Sequence, residues 1–328
     1  VMSNTDNMTQ HKSLRALMAQ LIDYAGLFPP ASLSLDEAIR NYAAYLKSED
    51  KWMLGRFIIP ASRLAELHSY VSLFSRNAPL RISALGRKSE DSEACRTGLN
   101  ADLQLIAEFT SMHGHAATVE VLELPLPPST EDAELLKYIA AKTSEQGVYP
   151  FCELIPRKGW DERCWESQLY KTIDAIGIQN ANKASTEPWL GAKLRTGGVT
   201  ADAFPKPSQV ASVILGCRNR GIPLKFTAGL HHPFRMHRDE VGTKMHGFVN
   251  VFAAGMLAKY NLLCSEEIKD ILTDENPDHF CFTDKGLTWR EHVVTSRAIV
   301  HLRKLVCSFG SCSFDEPRED LRRVHILS

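Results

Sequence analysis

Lys193 and Lys225 are the residues from which chemistry can be argued first. Each stands inside a short apolar and β-branched run, AKLRTGG from Ala192 and LKFTAG from Leu224. Side chains alternate across a strand, so Lys193 shares a face with Arg195 and Lys225 shares one with Thr227, while Leu194, Leu224 and Phe226 take the other face. The apolar faces belong under helices, which turns the lysines toward the opposite surface of the sheet or into a barrel. Two enclosed ammonium groups on adjoining strands are costly to keep charged, and an amine under that pressure gives up its proton and becomes reactive.

The stretch around them supplies the elements that place them. Leu190 to Thr196 reads as a strand that stops at Gly197-Gly198. In the helix predicted over Ser208 to Arg220, Val210, Val213, Ile214 and Cys217 share one face, and Gly221 ends it. Ile222 to Ala228 is the next strand. Two strands joined through one helix run parallel, because the crossover returns the chain to the same end of the sheet.

The same alternation extends both ways along the chain. Further strands are predicted near Leu21 to Ala25 and over Trp52 to Pro60, Leu80 to Leu85, Ala117 to Leu124, Val148 to Ile155 and Val306 to Phe314. Helices are predicted over Leu35 to Leu46 with Ser34 as cap, Arg63 to Phe74, Ser92 to His113, Glu131 to Gln146, Glu162 to Ile173 and Arg290 to Lys304. Eight strands separated by helices argue for an α/β fold, a (β/α)8 TIM barrel, in one domain covering residues 1–328. An insertion between the seventh and eighth strands, 234–290, is expected to hold helices at Gly247 to Lys259 and Ser265 to Leu272 and a small hairpin at Phe280 to Trp289. Phe248, Phe252 and Met256 at helical spacing read as a core stripe.

Composition narrows the function. The 328 residues carry a net charge of −1 with histidine neutral, which gives no basic surface for nucleic acid or anionic membrane. No apolar run reaches the roughly 20 residues of a membrane helix, and the polar start VMSNTDNMTQHKS lacks a secretory core, so a cytoplasmic protein is expected. The 8 cysteines include no CxxC pair, and neither a disulfide framework nor a structural zinc is expected.

In such barrels reactive residues stand at the C-terminal ends of strands and in the loops that follow. That rule gathers Arg56, Glu153, Lys193, Arg195, Lys225, Thr227, Gly229, His231, His232, Ser308, Gly310, Ser311 and Glu316 around one mouth. Glu120 and Glu123 are an odd number of residues apart, so a regular strand turns only one of them inward, and Glu153 is the preferred carboxylate. Gly229 and the small residues from Ser308 to Ser313 suit a phosphate or carboxylate held by backbone N–H groups, and Arg195 or Arg235 could fork a carboxylate. Phe28 with Pro29-Pro30 reads as a rigid loop wall.

The pairing of AKLRTGG with LKFTAG resembles class I aldolases of the deoxyribose-phosphate aldolase type. The resemblance implies that Lys193 forms the Schiff base and that Lys225, the cation on the next strand, lowers its pKa. The family's phosphate-binding Gly-Gly after the seventh strand is replaced here by Gly229-Leu230 and His231-His232-Pro233. Taken whole, the chain also resembles a group of bacterial (β/α)8 proteins marked by DYAGLFPPA and FTAGLHHP, which brings no activity with it.

The expected function is therefore a lyase acting through Lys193 on a small anionic carbonyl compound, with Lys225 tuning the amine, Glu153 moving protons, and no cofactor. Two alternatives stand beside it. One is a lyase, isomerase or hydrolase using a divalent metal held by His231 or His232, Glu153 and His246. The other is a barrel that binds a small molecule without catalysis. A small-molecule substrate is the expected partner, with a homo-oligomer as a further possibility.

Overall fold

Short runs of β-branched and apolar residues pair edge to edge in the computed structural model until the last strand meets the first. In chain order the strands are β1 Ile22–Tyr24, β2 Leu54–Pro60, β3 Leu80–Leu85, β4 Ala117–Pro125, β5 Tyr149–Glu153, β6 Gly191–Arg195, β7 Leu224–Thr227 and β8 Val306–Ser311. Their order in space is β1-β8-β7-β6-β5-β4-β3-β2, all pairings are parallel, and the sheet closes. The chain is thus the (β/α)8 barrel that its alternation predicts. The structure describes residues 10–128, 132–154, 162–183 and 189–328. The predicted helix start at Glu131, the strand end at Ile155 and most of the polar N-terminus lie outside these.

Local chemistry sets the helix ends. Ser34 accepts a hydrogen bond from Glu37 N at 3.2 Å and starts the helix Leu35–Tyr45, and Asp91 does the same for Ser92–His113 through Ala94 N at 2.8 Å. Helix Pro207–Arg220 begins with proline in its first turn and ends at Gly221, whose φ is +62°. Its buried Val210, Val213, Ile214 and Cys217 join Leu194, Leu224 and Phe226 in the layer between helices and barrel.

Three elements differ from expectation. Residues Ala61–Leu73 wind as 3-10 turns and not as an α-helix, and the buried Ala61, Leu64 and Leu67 recur every third residue, the period of that tighter spiral. His292–Thr295, predicted as helix, is the third strand of an antiparallel sheet with Phe280–Phe282 and Gly286–Trp289. Its Val293, Val294 and Thr295 are β-branched, and Thr295 then accepts from Ala298 N to begin the helix Ser296–Leu302. Between β7 and these strands lies a hairpin, Met236–Arg238 with Thr243–Met245, that the sequence reading missed.

The helix Phe248–Tyr260, placed in the insertion, belongs to the barrel wall. It is buried from Phe248 to Ala258, and Phe252 meets Phe226 of β7 at 5.5 Å between ring centres while Phe248 stacks on Phe309 of β8 at 5.3 Å. Among the described residues, no helix is long and apolar enough to cross a membrane.

Candidate active site

Alternation along the strands sends Asp23, Glu123, Glu153, Lys193, Lys225 and Ser308 into the barrel, where all six are buried. Their neighbours Ile22, Leu122, Cys152, Leu194, Phe226 and Phe309 enter the outer core instead. Lys193 and Lys225 are register partners on β6 and β7, and Glu153 is the partner of Lys193 on β5.

The interior charges alternate in sign. Lys193 Nζ lies 2.8 Å from Glu153 Oε2 and 2.5 Å from Glu123 Oε2, the latter an ion pair outside hydrogen-bond alignment. Glu123 Oε1 lies 3.2 Å from Lys225 Nζ and accepts a hydrogen bond from Ser83 Oγ at 2.6 Å. Lys225 donates to Asp23 and, at 3.2 Å, to Ser308 Oγ, which itself donates to Asp23 Oδ2 at 2.7 Å. Arg56 N donates to Asp23 Oδ1 at 2.6 Å. Gly55 makes this approach possible, since a Cβ there would stand 2.2 Å from Asp23 Oδ1.

These contacts decide the protonation states. Burial pushes the Glu123 carboxyl up, but Lys193 and Lys225 together bring it down to about 2. Asp23 is likewise raised by burial and brought below its ordinary value by Lys225 and Arg56. Burial lowers Lys193, yet Glu123 and Glu153 outweigh it and hold the ammonium above the ordinary lysine range. This corrects the expectation that Lys225 depresses Lys193. Asp23 and Glu123 lie against Lys225, and their negative charges offset its repulsion of Lys193.

A cavity of about 390 Å³ opens above this network at the C-terminal ends of the strands. Lys193, Glu123 and Glu153 line it, whereas Lys225 and Ser308 lie outside its lining. Arg195, Thr227, Gly229, His231 and Gly310 form its walls as expected, together with Lys88, Cys312 and the loop from Phe28 to Pro30. Thr196 Oγ1 donates to Ala228 O at 2.7 Å and ties the ends of β6 and β7 together. Gly229 has a φ of +71° and its Cβ would fall 2.7 Å from the Cα of Gly197, so the two loop backbones touch.

Other expected site residues are placed elsewhere. Ser311 is outside the cavity lining and spends its hydroxyl on Ser313 O at 2.7 Å. His231 reaches Glu316 Oε2 at 3.3 Å and Cys312 Sγ at 3.8 Å; burial lowers its pKa, but these partners raise it to about 9. His232 is outside the lining of this cavity, and its Nδ1 lies 2.5 Å from Asp320 Oδ2.

The metal set does not assemble. His246 uses Nε2 on Pro205 O at 2.7 Å and Nδ1 on Arg235 at 3.2 Å, and burial brings its pKa down to about 4. Arg235 is thereby turned toward His246 and does not line the mouth. With Glu153 on Lys193, no three His, Cys, Asp or Glu side chains among the described residues are grouped to hold an ion. His231 and His232 keep their ring centres 6.4 Å apart, but each is spent on a different acid, Glu316 and Asp320.

The parity argument on β4 also fails, for an identifiable reason. The β3–β4 register steps from Ile82↔Val119 to Ser83↔Val121, so Glu120 is the extra residue of a bulge. It pairs with Arg56 Nε at 2.8 Å and Arg81 Nε at 2.8 Å toward the N-terminal end of the barrel, not at the mouth. Both acids of β4 therefore reach the interior, at different depths.

No family model matches the chain, and no curated protein matches it. Among solved structures it is similar to the catalytic domain of a chitinase from Pyrococcus furiosus, at 12% identity and a TM-score of 0.41, over 79% of this chain and 94% of that one. It is similar to a human mitochondrial enolase superfamily member at 11% identity and a TM-score of 0.39, over 96% of this chain and 60% of the other. A third is the carboxyl transferase domain of Rhizobium etli pyruvate carboxylase, at 8% identity and a TM-score of 0.39; the match covers 70% of this chain and only 41% of that one. Likeness at these levels carries nothing about the reaction, and the barrel rests on its own strand pairing.

Asp23 and Ser83 are absent from the residues singled out by sequence, and Glu123 stands second to Glu153. Asp23 had one usable signal, an acid inside the apolar run LIDYAG.

Proposed function

We propose that the mouth carries out class I aldolase chemistry, a lyase reaction in which Lys193 forms a Schiff base with a small anionic carbonyl compound. The observation that supports it is the placement of Lys193: it is the one of the two amines that lines the mouth cavity, and it has carboxylates of Glu123 and Glu153 at 2.5 and 2.8 Å.

A resting ammonium is compatible with that chemistry. Lys193 passes its proton to Glu153, and the free amine attacks the carbonyl carbon to give a carbinolamine. Glu153 returns the proton to the departing oxygen, and water leaves. The product iminium has the same +1 charge as the starting ammonium, so the two carboxylates that stabilise one stabilise the other. Breaking the substrate's carbon–carbon bond then sends its electrons into the iminium, giving an enamine and releasing an aldehyde, while a carboxylate takes the hydroxyl proton. Lys225 keeps Glu123 ionised. Arg195 and Lys88 line the cavity with no ion pair among the described residues, which suits an anionic group on the substrate.

The test is reductive trapping. The full chain is incubated with a panel of small aldehydes and 2-oxo acids in the presence of borohydride, and modified peptides are identified by mass spectrometry. An adduct on Lys193 that is absent from Lys193→Met supports the reading; labelling confined to surface lysines in both proteins removes it.

A further inference from the structure

The barrel's other end opens into a second and larger cavity, of about 830 Å³, that the chemistry above does not use. Its charged lining is one-sided. Arg56, Arg303 and Lys304 face it against a single carboxylate, Glu120, and that acid is already shared between Arg56 and Arg81.

Arg303 donates to backbone carbonyls only, to Leu17 O at 2.6 Å, Ala19 O at 2.8 Å, Val306 O at 3.2 Å and Cys307 O. No carboxylate pairs with it or with Lys304 among the described residues. Desolvation accordingly brings the Arg303 guanidinium down to about 10. Carbonyl dipoles satisfy its hydrogens but leave its unit charge uncompensated, so the cavity keeps a positive potential.

The walls are aromatic and apolar. Phe151 lines the interior, and Trp189 stands at the cavity with 44% of its surface exposed beside Val300 at 57%. Lys183 Nζ stands 4.9 Å from the centre of the Trp189 ring, and an exposed indole edge beside cationic groups is the combination that takes a flat ring carrying negative charge.

We propose that this cavity is a second binding site, for a planar aromatic anion such as an aryl carboxylate. The ring lies against Trp189 and Phe151, Lys304 pairs with the charge, and the Arg303 guanidinium, held by carbonyls, contributes its field. The site touches the interior network from below, because Ser308 lines this cavity and bonds both Asp23 and Lys225. It does not depend on the reaction assigned to the mouth.

The probe is 2-naphthoate, titrated calorimetrically into the full chain. One saturable site is expected, weakened at least tenfold in Lys304→Glu, in Trp189→Ala and in Val300→Glu, all at exposed positions, and unaltered in Arg195→Ala at the mouth. The uncharged analogue 2-naphthalenemethanol should bind at least tenfold more weakly. Absence of saturable binding at millimolar naphthoate would overturn the proposal. So would equal affinity for the uncharged analogue, or binding that persists in all three cavity variants and is lost in Arg195→Ala.

Discussion

Glu123 and Lys193 meet at 2.5 Å across the barrel interior, from strands β4 and β6, with Glu153 of the strand between them closing the group at 2.8 Å. The opposite side repeats the plan: Lys225 of β7 and Asp23 of β1 are linked through Ser308 of the intervening β8. Glu123 Oε1, at 3.2 Å from Lys225, connects the halves. Every charge therefore has an opposite neighbour, and each removal has a predictable sign.

Removing the central cation strands the buried Glu153 and leaves Glu123 with Lys225 alone. Lys193→Met should destabilise the fold by about 3–5 kcal/mol, the usual range when one partner of a buried pair is lost. Urea unfolding of Lys193→Met and of Lys193→Met/Glu153→Gln checks this, because the second change removes the stranded charge and should restore part of the loss. A double variant less stable than the single one would contradict the pairing.

Removing one carboxylate frees the amine. Glu123→Gln deletes the first of the two charges that hold Lys193 above its ordinary range, so more Lys193 is uncharged at a given pH. Competitive labelling with acetic anhydride, quantified at Lys193 by mass spectrometry, should shift to lower pH, with more label at fixed pH. A shift to higher pH would show that Glu123 does not hold the proton on Lys193.

The imidazole at the mouth should titrate late. Burial alone would lower His231, and its contacts with Cys312 and Glu316 raise it from 6.5 to about 9. A group raised on folding stabilises the fold fully below its unfolded value, and that contribution disappears as the pH rises from 6.5 through about 9. NMR titration of the His231 ring should place its midpoint near the upper value, and Glu316→Gln should bring it down and flatten the stability profile over that window. A midpoint unaffected by Glu316→Gln would show that the pair does not form.

Much of the fold follows from local pattern. Residues such as Val210, Val213, Ile214 and Cys217 declare a helix face, Ser34 and Gly221 mark ends, and repetition of strand and helix leads to a closed barrel. Structure and local pattern part where a period breaks: at the bulge of Glu120, in the three-residue spacing from Ala61, and in the β-branched run from His292. Each carries a competing signal that only neighbouring elements settle.

What the sequence by itself determined was the face a residue takes along an unbroken strand, so that Lys193 and Lys225 had to face inward together. Strand alternation is a property of the backbone and needs no partner. Only the tertiary structure decided which charges those lysines meet. Asp23 lies 202 positions from Lys225 along the chain, and the two are brought within reach by barrel closure. Spacing along a chain carries no information about such distances, and the sign of Lys193's shift depends on them.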